Sequence, residues 1–148
     1  MQLPSITAAY VAVLALLYAA LGLQVVRLRR RNRASFGDGE STQLRSAIRA
    51  HAHFSEYVPI IALMVAMLEI SGLPALRVHI LMAALLVARL LHPLGMYAKP
   101  QTLQFFVGRV GGMTITISVM IASAVLILWR LCWADSSFNS GKGMPLCR

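Results

Sequence analysis

Four apolar stretches, each long enough to cross a bilayer, constrain this chain more than any single residue does. They span about residues 6–26, 43–70, 75–97 and 105–133. A hydrocarbon core of about 30 Å takes roughly 20 helical residues. In lipid the backbone must satisfy its own hydrogen bonds, so continuous apolar runs of this length fold as helices. Composition agrees: with 58% hydrophobic and 13% charged residues, there is too little charge to cover the surface of a soluble domain. The expected fold class is all-α, an integral membrane four-helix bundle forming one domain over residues 1–134, with a flexible tail over 135–148.

Charge sets the expected orientation. The net charge of +9 comes from 14 Lys and Arg against 5 Asp and Glu. Arg27, Arg29, Arg30, Arg31 and Arg33 cluster directly after the first apolar run. That position suits anionic headgroups and the positive-inside rule, and makes nucleic acid a poor partner. No basic region precedes the first run, which is the wrong polarity for a cleaved signal peptide. Both termini are therefore expected outside, with the polar loops in the cytoplasm. Cys132 and Cys147 form no framework or metal pattern; a single bridge between them stays open.

Local signals place the boundaries. Gly37-Asp38-Gly39 marks a turn, and Ser41 or Thr42 is a candidate N-cap for the second helix. Pro59 lies inside that helix and is expected to kink it near Ser55 or Glu56. Ser71-Gly72-Leu73-Pro74 is a short turn. Gly108 and Gly112, with Gly111 between them, permit close helix approach. Thr114, Thr116 and Ser118 can bond within the bundle. Trp129, Arg130 and Trp133 mark the outer interface.

One stretch carries the chemistry. On a helix, Arg45, Arg49 and His53 follow at i, i+4 and i+8, with Glu56 three residues on. Arg89 and His92 share a face near the inner end of the third helix, and Arg109 begins the fourth. All seven residues fall at one depth on the cytoplasmic side. Ionisable groups at that depth face a partner, a cavity or a ligand. The plainer alternative is that Arg45 and Arg49 snorkel and that Glu56 pairs with Arg49 or His53. A cluster of arginines with one carboxylate suits a small, multiply charged ligand: arginine grips carboxylates, and Glu56 can hold an ammonium group. Glutathione carries both, and an arginine beside its thiol favours the thiolate. A metal site is not expected. His51 and His53, two apart on a helix, point to different faces and leave His51, His53, Glu56 and His92 without a ligand spacing.

Arg-Ala-His-Ala-His-Phe-Ser-Glu-Tyr-Val-Pro, residues 49–59, resembles the R-A-x-x-N-x-x-E-Y-x-P signature of the MAPEG family. These are the membrane-associated proteins in eicosanoid and glutathione metabolism. Val-Arg-Leu-Arg-Arg-Arg (26–31), Phe-Gly-Asp-Gly (36–39), Ala-Arg-Leu-Leu-His (88–92) and Gly-Arg-Val-Gly-Gly-Met-Thr (108–114) resemble its bacterial inner-membrane branch. The resemblance covers roughly residues 5–130. It implies a homotrimer with glutathione bound between neighbouring protomers near the cytoplasmic face. On the second helix it implies glutathione contacts at Arg49, Glu56 and Tyr57, with His53 where the family usually has Asn. On the third it implies Arg89, with His92 and Tyr97 near further contacts. Arg45 joins this ligand set through its place on the helix stripe. The thiol-activating, catalytic arginine aligns with Arg109, or in another register with Thr102 or Phe105. Arg29 and Arg30 are candidate contacts from the neighbouring protomer. The implied activity is a glutathione-dependent transferase or peroxidase acting on lipophilic electrophiles delivered by the bilayer. The alternatives are a non-catalytic lipid-binding scaffold or an enzyme using another small thiol.

Overall fold

The computed structural model describes residues 3–97 and 102–140. Three long helices come first: α1 (Ser5–Arg31), α2 (Thr42–Ile70) and α3 (Ala75–Met96). The fourth span is composite. A short turn, α4 (Leu103–Phe105), passes into a π-helical segment, Phe106–Gly111, and then into α5 (Gly112–Ser140). By length and composition, four helices of the described residues can cross a membrane: Ser5–Arg31, Thr42–Ile70, Ala75–Met96 and Leu103–Trp133. The expected count and order of helices are therefore observed. The helix continues past Trp133 because no Gly or Pro interrupts the chain before Gly141. The tail expected from residue 135 thus begins as helix. Residues 141–148, including Cys147, lie outside the described residues, as do 98–101 of the third connection.

Packing follows a narrow seam on each helix. On α2 the buried residues Phe54, Val58, Ile61, Val65 and Leu68 recur at alternating spacings of four and three. They meet Leu14 and Leu21 of α1, Val78, Met82 and Leu85 of α3, and Val119 of α5. Large apolar side chains outside the seam, such as Leu16, Leu23, Leu63 and Leu128, are exposed, as a lipid-facing surface requires. Pro59 does not end α2, which continues as helix to Ile70. Ser41 caps α2 by accepting from the Leu44 N–H at 3.4 Å.

The α3 seam changes character at one end. Its spacing continues from Leu85 to Arg89 and His92, both buried, and then to Gly95. Opposite it stand the buried small residues Gly108, Gly112, Thr116 and Ser123. Here two backbones touch. A Cβ on Gly108 would lie 2.6 Å from Gly95 Cα, and one on Gly95 would run into the Arg109 backbone nitrogen. A Cβ on Gly112 would stand 3.0 Å from the Ala88 carbonyl. With no hydrophobic drive between helices in lipid, such close contact is what holds the pair together.

A carboxylate fastens the start of α1, and carbonyls of the following loop tie down its end. At its start, Pro4 offers no side-chain cap. Glu69, from the last turn of α2, accepts from the Ile6 and Thr7 N–H groups at 2.9 Å each and from the Thr7 hydroxyl at 2.6 Å. After its other end, the loop folds back on itself. Arg29 donates to the Ser35 and Gly37 carbonyls, and Arg45 pairs with Asp38 at 2.5 Å. Gly37 and Gly39 both take positive φ, as the turn signal implied.

Two predictions follow from this packing. Gly108→Ala should lower the stability of the detergent-solubilised protein by about 1–3 kcal/mol in a thermal melt. Gly111→Ala, whose Cβ would meet only the Phe106 carbonyl at 3.6 Å, should leave the melt unchanged. The Arg45 guanidinium, through its hydrogen bond, and the Glu40 N–H hold the Asp38 carboxyl below its ordinary value of 3.8. The pair's contribution is therefore complete above that value and lost as pH falls through the lower, folded one. Amide hydrogen exchange of the loop, corrected for intrinsic rate, should quicken in strong acid, and Asp38→Asn should give the acid behaviour at neutral pH.

Candidate functional site

The site forms where the α3 seam turns polar. His53 of α2 and His92 of α3 face each other, Nδ1 to Nε2, at 3.1 Å. Arg89, 1% exposed, reaches across two helices. It donates to the His53 carbonyl at 3.2 Å and to the Thr116 hydroxyl of α5. Thr116 can accept because its own hydroxyl donates to the Gly112 carbonyl one turn back, at 2.8 Å. No carboxylate neutralises Arg89 among the described residues, where the only ion pair is Asp38–Arg45. Two buried atoms here, Arg89 Nε and His92 Nδ1, lack a hydrogen-bond partner. The Arg109 backbone lies beside the His92 ring without closing a bond of normal geometry to it.

Around this buried centre stands an exposed ring of charge. Arg49, Glu56, Arg89 and Arg109 are all near enough to act electrostatically on His53. Arg49, Glu56 and Arg109 are exposed on the outside of the bundle. Glu56 makes no ion pair with Arg49 or His53. The Tyr57 ring sits edge-on to His53, with centroids 6.5 Å apart. The Arg109 guanidinium lies 5.3 Å above the centre of the Phe105 ring. It projects from the π-helical segment, whose extra residue per turn re-aims side chains relative to a regular helix.

The remaining residues expected at the site stand apart from this centre. Arg45 is taken up by Asp38. Tyr97 accepts a 2.8 Å hydrogen bond from the Gln24 amide of α1. Arg29 is committed to its own loop, while Arg30 is exposed. Gln24 and Asp38 shape these placements without a motif that marks them in the sequence. Gln24 carried a signal all the same: a lone amide in an apolar span needs a partner. No group of three or more His, Cys, Asp or Glu side chains among the described residues is arranged to hold a metal.

The burial of Arg89 yields a prediction. Arg89→Ala removes both a large buried side chain and two hydrogen bonds, so it should cost about 3 kcal/mol or more in a thermal melt. Arg89→Met keeps most of the volume and removes a charge that no acid neutralises, so it should cost less than half of that. Equal losses in the two variants would show that the hydrogen bonds, rather than the packing, hold this end together.

Comparison with known proteins places this arrangement. Residues 7–129 match the sequence model of the MAPEG family. The chain is 34% identical over 128 residues to inner membrane protein YecN of Escherichia coli strain K12, covering 86% of this chain and 94% of that protein. The same figures hold for YecN of Escherichia coli O6:H1 strain CFT073. No solved structure matches the chain. With its four apolar helices and an inner-membrane relative of nearly the same length, this integral inner-membrane protein belongs to the MAPEG family.

Proposed function

We propose that this protein is a glutathione-dependent transferase or peroxidase acting on lipophilic electrophiles. The observation that carries the reading is the set of charges around His53, present in a chain of this family. Arg49 suits a carboxylate of the tripeptide, and Glu56 suits its ammonium group. Tyr57 and the His53–His92 pair supply ring and hydrogen-bonding edges beside them. Arg109 is the candidate for the thiol: a guanidinium beside it stabilises the thiolate, which is the nucleophile. In the transferase reaction the sulfur bonds to an electrophilic carbon, whose leaving group or π-electron pair is displaced. The thiol proton is released to water.

The exposure of Arg49, Glu56 and Arg109 supports a homotrimer. Charges on the outer face of membrane helices are costly unless something covers them. A neighbouring protomer would close the pocket, with its own Arg29 and Arg30 at the rim. In this reading the site faces the cytoplasm, where the thiol is available, and both termini lie on the other side. The bilayer supplies the apolar substrate, and no metal takes part.

One observation favours a second reading. Arg109 is stacked over Phe105. If that contact keeps the guanidinium from the thiol, the protein binds its ligands without activating them and acts as a scaffold. Calorimetry and difference absorbance on the detergent-solubilised protein separate the two. The enzyme reading expects glutathione binding with a thiolate band. Arg49→Ala should weaken binding at least about tenfold, roughly 1.4 kcal/mol. Arg109→Ala should keep binding but lose the band and on the order of a hundredfold in turnover. Binding without a band supports the scaffold; no binding to the wild type ends the glutathione reading.

A further inference from the structure

A second polar feature lies at the opposite end of the bundle from His53. A groove of about 760 Å³ runs between the last turn of α2, the start of α3 and the stretch 126–133 of α5. Its walls are apolar: Met67, Leu68, Leu126, Ile127, Trp129 and Trp133. The two indoles are stacked, with centroids 6.5 Å apart and planes at 12°. Two arginines, Arg77 and Arg130, line the same groove, and no acidic side chain of the described residues does.

The two cations are held differently. Arg130 is pinned, donating to the Ser71 carbonyl at 2.5 Å, the Ser71 hydroxyl at 3.0 Å and the Gly72 carbonyl at 3.2 Å. Its charge is thereby fixed on the α2–α3 turn. Arg77 is exposed, and its side chain makes no hydrogen bond or ion pair among the described residues. Beside it α3 begins with no side-chain cap, so its positive end adds to the field.

The occupant must therefore be anionic at one end and apolar along the rest. Free phosphate would leave the walls bare. A second copy of this chain is a poor fit, because it would have to bring an acid to the arginines. The chain has only five Asp and Glu against 14 Lys and Arg. Glu69, the acid nearest this end in the sequence of α2, is already engaged by Ile6 and Thr7. Tryptophan at a helix end marks the level of the headgroups, where a phosphate diester lies.

We propose that this groove is a binding site for an anionic phospholipid. The phosphate sits between Arg77 and Arg130, and an acyl chain lies along Leu126, Ile127 and the indole faces. The site is separate from the glutathione reading and does not depend on it.

Both tryptophans of the chain line this groove, so intrinsic fluorescence reports on it directly. The test compares quenching by phosphatidylglycerol and by phosphatidylcholine, each with dibrominated acyl chains, in mixed vesicles containing the full-length protein. A preference for the anionic lipid of about 25-fold is expected, taking about fivefold for each of the two arginines engaged. Arg77→Gln should reduce it about fivefold. Arg27→Gln, in the basic cluster after α1, should leave it intact. Equal quenching by both lipids overturns the proposal. So does a preference undiminished in Arg77→Gln, or one reduced equally in Arg27→Gln, which would reflect general surface charge. Weak quenching by either lipid also overturns it, since protein would then cover the groove.

Discussion

The contact between Gly95 and Gly108 is the constraint on which the site end of this molecule depends. Two backbones meet there with no side chain between them. Helices in lipid gain nothing from hiding apolar surface, so such close packing takes over the role that burial has in water. It also sets the chemistry. Because the π-helical segment lies against α3, Arg109 stands beside His92, and Thr116 comes within reach of Arg89. A bulkier residue at either glycine would separate the halves of the polar centre before it touched any charged group.

Much of this was legible in the sequence because it depends on local rules. Span lengths follow from hydropathy, the Ser41 cap from side-chain chemistry, and the shared face of Arg89 and His92 from helical periodicity. The glycine spacing on the fourth span correctly announced a close approach. What stayed hidden depends on tertiary partners. Nothing local says that Arg45 will leave the Arg49 stripe for Asp38, or that Tyr97 will be met by Gln24 from a helix more than seventy residues earlier. The π-helical segment was also unreadable, since no local signal in Phe106–Gly111 announces the extra residue in its turn.

The bundle treats charge differently at its two ends. Around His53, a buried guanidinium is held by a carbonyl and a hydroxyl, with an outer ring of charges left exposed. At the far end, Arg130 is fixed by turn carbonyls and Arg77 is free to meet what lies alongside. Between them the seam is almost wholly apolar. The two ends therefore present different surfaces, a ring of exposed charge at one and an apolar groove with two arginines at the other.

The clamp of Glu69 on the first turn of α1 has a consequence for how the chain is made. α1 leaves the ribosome before α2, yet the carboxylate that satisfies its Ile6 and Thr7 N–H groups is the last acid of α2. Until that residue has been synthesised, the leading end of α1 is an open set of donors drawn towards water. The first two helices therefore mature as a hairpin, and the alignment of the opening helix is fixed by a residue translated some sixty codons later.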